Sequence, residues 1–189
     1  MTYNYLSSSS LLDFSKTDFA DIFDGAFYPW EVLGKITEYI KSLGETLSPD
    51  EYYSPSPSVW ISKSAKVAPS ASITGPCIIL EGTEIRHCAF IRGSALVGKG
   101  CVVGNSTELK NVILFDGVQV PHYNYVGDSI LGYKAHMGAS SLTSNVKSDK
   151  RLVPVHTKDG DIETGRKKFG AIVGDGVEVG CGAVLNPGT

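Results

Sequence analysis

Aliphatic residues recur at every sixth position through the middle of the chain. The register holds without interruption at Ile61, Val67, Ile73, Ile79, Ile85, Ile91, Val97, Val103 and Leu109. One residue then drops out, and the spacing resumes at Leu114, Val120 and Val126. A second slip of one residue leads to Leu131 and Met137. It returns late in the chain at Val173, Val179 and Leu185. A six-residue period with small residues between predicts the coils of a hexapeptide β-helix, whereas a β-sandwich would alternate every two residues.

The pattern therefore predicts an all-β solenoid in which three hexads form one triangular coil. The aliphatic residue of each hexad points into the prism, and successive coils stack at about 4.8 Å, the spacing of paired strands. We expect the β-helix to cover residues 59–189, with an inserted loop at about 140–170 where the hexads stop. Residues 1–58 are expected to form an N-terminal helical cap and a linker.

A helical period replaces the hexads in the segment YPWEVLGKITEYIKSLG, residues 28–44. Its apolar stripe consists of Val32, Leu33, Ile36, Ile40 and Leu43. Pro29 suits the first turn of one amphipathic helix, and Gly44 suits the position after its end. We expect this helix to cover the open first coil, because terminal coils need capping. The Pro/Ser-rich stretch 48–58 is interpreted as a linker.

Composition and charge narrow the possible partners. The 189 residues are 42% hydrophobic and carry a formal net charge of −3, so no overall basic field indicates nucleic acid. No apolar run approaches the roughly 20 residues of a membrane span. The first residues lack a secretory signal pattern, and the four cysteines form no CxxC pair, so we expect free thiols and a cytoplasmic protein.

Cations concentrate at two places. The segment between Ala139 and Ile172 contains Lys147, Lys150, Arg151, Lys158, Arg166, Lys167 and Lys168. Arg92 and Lys110 are 18 residues apart, which is one coil, so the two side chains should stack. Two stacked cations repel unless an anion such as phosphate lies between or beside them. Solvated surface charges are the alternative in both places.

Four motifs carry a resemblance to a known family: GNSTELK (104–110), VPHYNYVGDS (120–129), GAS…N (138–145) and TGRKKFGAIVGD (164–175). They resemble the C-terminal acetyltransferase half of bifunctional sugar-1-phosphate nucleotidyltransferase/acetyltransferases, the enzymes related to UDP-N-acetylglucosamine pyrophosphorylase. The resemblance covers roughly residues 28–189. It implies a left-handed parallel β-helix, a homotrimer, and acetyl-CoA as the co-substrate. The implied acceptor is the amine of an amino-sugar 1-phosphate, and acetyl transfer would require no metal.

The resemblance also implies a role for each matching residue. His122 would be the general base, for which imidazole is suited because it titrates near neutral pH. The backbone N–H of Ala139 would stabilise the oxyanion of the thioester and, with Cys181, belong to the acyl-CoA site. The implied substrate-binding residues are Arg92, Lys110, Tyr125, His136, Asn145 and Lys168.

Several departures from the family keep other functions open. His136 replaces an asparagine, and Cys181 replaces a serine. Ser140 replaces a glycine, and the bulk that its side chain adds could crowd a thioester. The nucleotidyltransferase half is not recognisable, and the last residues, LNPGT, fall in mid-repeat. One alternative is a non-catalytic member that binds a sugar phosphate or nucleotide sugar, or serves as a scaffold. A γ-class carbonic anhydrase is a weaker one, since Gly127 stands where that family's second histidine would follow His122.

Overall fold

The computed structural model describes residues 3–189, and most of their strands wind into a three-sided parallel solenoid. The first face contains β2 (Val59–Ser62), β5 (Cys77–Ile79), β8 (Ala95–Val97), the later parts of β10 (Glu108–Leu114) and β12 (Tyr125–Leu131), and β17 (Ile172–Val173). The second contains β3 (Lys66–Val67), β6 (Glu84–Ile85), β9 (Val102–Asn105), β11 (Gln119–His122), β13 (His136–Met137) and β18 (Glu178–Val179). The third contains β4 (Ser72–Ile73), β7 (Phe90–Ile91), the first parts of β10 and β12, β14 (Leu142–Thr143) and β19 (Val184–Leu185).

The strand register confirms the predicted hexad ladder and the fold class. Each predicted inward residue pairs with its counterpart one coil away, as Ile61 does with Ile79 and Ile79 with Val97. On the third face the inward position of one coil is Thr143, whose hydroxyl accepts a hydrogen bond from Gly127 N at 2.9 Å. A polar residue is tolerated there because its hydroxyl is paired within the prism.

The turn at the corner between the third and first faces is shortened after Leu109, which accounts for the residue that the six-residue period loses there. β10 and β12 run through this corner without a break, and the turn residues Asn111 and Asp128 have φ of 55° and 49°. Asn and Asp adopt this left-handed conformation more readily than other non-glycine residues. The local sequence thus folds two polar side chains into the same corner of neighbouring coils.

The N-terminal helix differs from the prediction in its extent and in its position. Residues Pro29–Gly34 form a 3₁₀ helix, and an α-helix (α2) follows at Ile36–Gly44, where Gly44 is the last helical residue. Gly34 lies at the junction, where low helix propensity favours a break. The predicted stripe is buried apart from the half-buried Leu43. The helix packs along the first face, with a 2.7 Å hydrogen bond between the Thr37 and Ser94 hydroxyls, and its last residue, Gly44, lies against Trp60 at the side of the first coil. It therefore does not lie over the open end of that coil.

The stretch interpreted as a linker covers the edge of the first coil instead. β1 (Tyr52–Tyr53) pairs antiparallel with β2, placing Tyr52 opposite Ser62 and Tyr53 opposite Ile61. Unpaired strand edges favour association with other chains, and β1 provides hydrogen-bond partners for the exposed edge of β2. The Pro/Ser composition concealed a two-residue strand that no periodic pattern could indicate.

The residues before Tyr28 form short turns that pack along the solenoid. They comprise 3₁₀ helices at Asn4–Leu6, Phe14–Lys16 and Ala20–Phe23, and a helix, α1, at Ser8–Leu11. Phe23 contacts Phe115 with ring centroids 6.0 Å apart, and Asp13 N donates to an Asp175 carboxylate oxygen at 2.6 Å. No helix within residues 3–189 is both long and apolar enough to cross a membrane.

The interruption of the hexads holds a β-hairpin where a loop was expected. β15 (Pro154–Thr157) and β16 (Gly160–Glu163) pair antiparallel within it. The insertion leaves and rejoins the solenoid at one point, because Phe169 N donates to Asn145 O at 3.0 Å. Residues on its returning segment are therefore held beside the third-to-first corner.

Candidate active site

A buried carboxylate, Asp128, lies at the centre of a polar cluster at this corner. Its Oδ1 atom accepts hydrogen bonds from Asn111 Nδ2 at 2.9 Å and from Lys110 Nζ at 3.3 Å. Its Oδ2 atom accepts from Asn145 Nδ2 at 2.6 Å. A buried charge needs such partners, and here one cation and two amides supply them. Sequence reasoning did not select Asp128, although it lies one coil from Lys110 and one coil from Asn145, at separations of 18 and 17 residues.

Tyr125 extends this cluster toward the outer surface of the third face. Its hydroxyl accepts a hydrogen bond from Asn145 Nδ2 at 3.2 Å. Burial raises the pKa of Tyr125, so the phenol stays protonated at neutral pH and its proton is available to an acceptor. Tyr125 is thus placed to donate to an anionic ligand at the cluster.

Arg92 and Lys110 lie in adjacent coils as predicted, but a bound anion is not needed to explain their proximity. The pairing of Ile91 with Leu109 places the two cations in adjacent coils. Arg92 Nη1 bonds Glu108 Oε1 at 2.6 Å, while Lys110 bonds Asp128. Carboxylates of the chain itself therefore reduce the repulsion that the sequence attributed to a ligand. Sequence spacing predicted the proximity of the cations and could not show which way each side chain turns.

His122 ends β11 on the second face, with its side chain exposed to solvent. Ser140 N donates to His122 O at 3.0 Å, which places Ala139 beside His122 on the next coil. Gly182 N donates to Ala139 O at 2.8 Å, which places the exposed Cys181 beside Ala139 on the last coil. The structure therefore brings three of the predicted residues into one column across successive coils.

A buried amide that sequence reasoning missed ties this column together. Asn124 Oδ1 accepts from His122 N at 3.0 Å, and Asn124 Nδ2 donates to Gly138 O at 2.8 Å. The side chain thereby links the turn after His122 to the turn that contains Ala139. The sequence signal for this role was an asparagine at a hexad corner, because a buried amide at a corner needs hydrogen-bond partners in neighbouring turns.

The side chains of the remaining predicted residues form no hydrogen bond with either group. His136 lies on β13, half-exposed, between Gln119 and Glu178 of the neighbouring coils. Lys168 is exposed on the returning segment of the insertion, and its side chain makes no hydrogen bond to residues 3–189. Of the other cations there, Lys147 and Arg151 each lie 3.7 Å from a carboxylate oxygen of Asp149.

The arrangement of the histidines bears on the carbonic anhydrase alternative. His87 and His122 lie in one column, with Asn105 on the coil between them. Asn105 pairs with His122, and the next residue, Ser106, donates its backbone N–H to His87 O at 3.1 Å. In the part of the chain that the structure describes, no three His, Cys, Asp or Glu side chains form a group that could hold a metal ion. His87 and His122 are thus separated by one intervening coil, and the second histidine of that enzyme class is still replaced by Gly127.

The stacked parallel coils define a hexapeptide-repeat protein of the β-helix class. The family described as "GMPPB C-terminal domain" matches residues 73–189, which is more than half of the chain. The chain therefore belongs to this family.

Individual relatives agree with the resemblance predicted from the motifs. "Bifunctional protein GlmU" of Methanococcus aeolicus is 32% identical over 178 residues, covering 85% of this chain and 39% of that protein. The "Bifunctional sugar-1-phosphate nucleotidylyltransferase/acetyltransferase" of Sulfurisphaera tokodaii is 29% identical over 140 residues, covering 65% and 35%. The chain thus spans about two fifths of the length of such relatives. Among solved structures, the acetyltransferase domain of PglB from Neisseria gonorrhoeae matches with 19% identity and a TM-score of 0.35, covering 82% of this chain and 58% of that one.

Proposed function

We propose that the chain is an N-acetyltransferase that moves the acetyl group of acetyl-CoA to the amine of an amino-sugar 1-phosphate such as glucosamine 1-phosphate. One observation carries the proposal. The corner between the second and third faces places the exposed His122 one coil from Ala139 and three residues from Tyr125, which belongs to the Asp128 cluster. A base and an oxyanion donor thus lie at one edge of the third face, and groups for an anion lie at its other edge, with Tyr125 between them.

The chemistry is direct attack of the amine on the thioester. The amine nitrogen forms a bond to the carbonyl carbon while His122 accepts a proton from it. The Ala139 N–H has no hydrogen-bond acceptor within residues 3–189, so it is free to donate to the oxyanion that develops. The C–S bond then breaks, and the imidazolium returns the proton to the departing thiolate. Positioning, one base and one donor suffice, with no acyl-enzyme intermediate.

The sugar phosphate would lie against the Asp128 cluster. Lys110 Nζ lies 3.3 and 3.4 Å from the two carboxylate oxygens of Asp128, which leaves at least one of its three N–H bonds for a phosphate oxygen. We assign Arg92, Tyr125, Asn145, Lys168 and His136 to the same substrate, as the resemblance implies. Acetyl-CoA would follow the column from Ala139 to Cys181. A homotrimer is proposed on the same ground, and light scattering would give three times the 20.2 kDa mass of the chain.

The test is thiol release from acetyl-CoA with glucosamine 1-phosphate as acceptor. We expect free coenzyme A and an N-acetylated sugar phosphate in equal amounts. N-acetylglucosamine 1-phosphate has no free amine and is the matched control, which should release no thiol. Thiol release that does not depend on the amine would contradict the proposal.

A second candidate is a non-catalytic member that binds a sugar phosphate without transferring acetyl. Ser140 favours it, because this residue replaces the glycine of the family motif beside Ala139 and has φ 59°. A side chain at that turn occupies space next to the proposed oxyanion donor. Calorimetry separates the two functions: binding of glucosamine 1-phosphate without binding of acetyl-CoA would support the second.

A further inference from the structure

Arg166 is a half-buried arginine on the returning segment of the insertion, and it has no carboxylate partner within residues 3–189. Its Nε atom makes one long contact, 3.4 Å to Lys168 O, and its Nη atoms donate to no described residue. The other partly buried cation at this corner, Lys110, is paired with Asp128. Arg166 therefore differs from Lys110, the other partly buried cation of this corner, in lacking an anion.

The backbone on both sides of Arg166 is fixed, so the side chain is held at the corner. Arg166 N donates to Thr164 Oγ1 at 3.2 Å, and Val153 N donates to Arg166 O at 2.8 Å. A Cβ atom placed on Gly34 would lie 3.4 Å from Arg166 Nη1. The preceding carbonyl, Leu33 O, accepts from Asn111 Nδ2, which also donates to Asp128. The guanidinium thus lies beside the Leu33–Gly34 backbone, which Asn111 links to Asp128.

The charges at this corner do not balance. Asp128 supplies one negative charge, and its oxygens already accept from Lys110, Asn111 and Asn145. Lys110 and Arg166 supply two positive charges. Burial lowers the pKa of Arg166, an effect that the charge of Asp128 offsets only in part. A partly desolvated guanidinium without a partner is unfavourable, and an oxyanion would relieve that cost.

We propose that Arg166 binds a phosphate-type oxyanion and that, with Lys110, it forms the anion subsite of the candidate active site. The planar guanidinium presents two parallel N–H groups, the arrangement that phosphate oxygens accept best. The identity of the anion as a sugar phosphate rests on the proposed function. A phosphate group of coenzyme A has the same chemistry, and the experiment distinguishes these two sources.

The test compares the full chain with Arg166→Gln by calorimetric titration of inorganic phosphate, glucosamine 1-phosphate and coenzyme A. Loss of a charge-assisted bidentate contact should weaken binding of the sugar phosphate about 10- to 100-fold. Arg166→Lys keeps the positive charge and loses the two parallel N–H groups, so its affinity for the sugar phosphate should lie between those of the unaltered chain and Arg166→Gln. Arg151→Gln is the matched control, because Arg151 belongs to the same insertion, is 82% exposed and pairs with Asp149. Its affinities should equal those of the unaltered chain.

The outcomes separate the subsite from the proposed function. Weaker binding of coenzyme A alone assigns the oxyanion to the coenzyme, and weaker binding of glucosamine 1-phosphate assigns it to the sugar. Unchanged affinities in Arg166→Gln, or an unaltered chain that binds none of the three ligands, overturn the inference. If the chain binds the sugar phosphate through Arg166 and forms no N-acetyl product, the proposed acetyl transfer is contradicted and the anion subsite is supported. Should Arg166→Gln unfold, Arg166→Lys decides by the same comparison.

Discussion

Single buried polar residues determine the geometry of the two corners beside the third face more than the candidate catalytic residues do. Asp128 and Asn124 are each almost fully buried, and each forms hydrogen bonds to a neighbouring coil. Removing one partner of such a bond leaves the other unsatisfied, which typically costs about 1–3 kcal/mol. The exposed residues His122, Arg92 and Lys168 can change with little effect on folding, whereas these two cannot.

The four cysteines give a test of the coenzyme position. Burial raises the pKa of Cys77 and of Cys101 to about 12, while Cys88 and Cys181 are exposed. Since the thiolate is the reactive form, iodoacetamide at pH 8 should label only the two exposed cysteines. Acetyl-CoA should protect Cys181 from the reagent and leave Cys88 unprotected, as measured by peptide mass spectrometry. Equal labelling of Cys181 with and without acetyl-CoA would contradict the proposed coenzyme site.

At the scale of elements, the insertion depends on a close approach at its return point. Gly170 N donates to Asp128 O at 2.8 Å, and a Cβ atom on Gly170 would collide with the Gly127 carbonyl and the Ser129 hydroxyl. The returning segment that carries Arg166 is thus fitted against β12 without room for a side chain.

Gly170→Ala should therefore lower the free energy of unfolding by roughly 1–3 kcal/mol, because the added methyl forces a backbone shift. Gly180→Ala is the matched control, since no atom lies within 4 Å of its Cβ position. That variant should stay within about 0.5 kcal/mol of the unaltered chain. Urea denaturation measures both, and equal values for the two variants would show that the return point is not tightly packed.

The N-terminal helix shows what a pattern within one element can predict. Its apolar stripe correctly indicated which residues are buried, because amphipathicity records the buried face directly. The stripe carried no information about the partner, and the helix packs on the first face instead of the open coil. The strand at Tyr52–Tyr53 depends on pairing with the solenoid, which a local pattern does not record.

For the whole molecule, the sequence predicted the solenoid because each coil contacts mainly its neighbours, so a fixed period specifies the stack. The same period correctly predicted that Arg92 and Lys110 are adjacent. It could not predict that Glu108 and Asp128 neutralise them, since side-chain direction depends on the finished corner. The short turns before Tyr28 have no period, and only the structure shows that Phe23 packs on Phe115.

The central claim is that the corner between the second and third faces is a catalytic site with His122 as its base. The most direct measurement compares the rate of acetyl transfer in His122→Ala and His87→Ala. His87 is also exposed and lies in the same column two coils away, where its ring bonds the Ser70 hydroxyl at 2.9 Å. We predict that kcat falls by about 10²- to 10⁴-fold in His122→Ala and is unchanged in His87→Ala. Equal rates in the two variants would contradict the account.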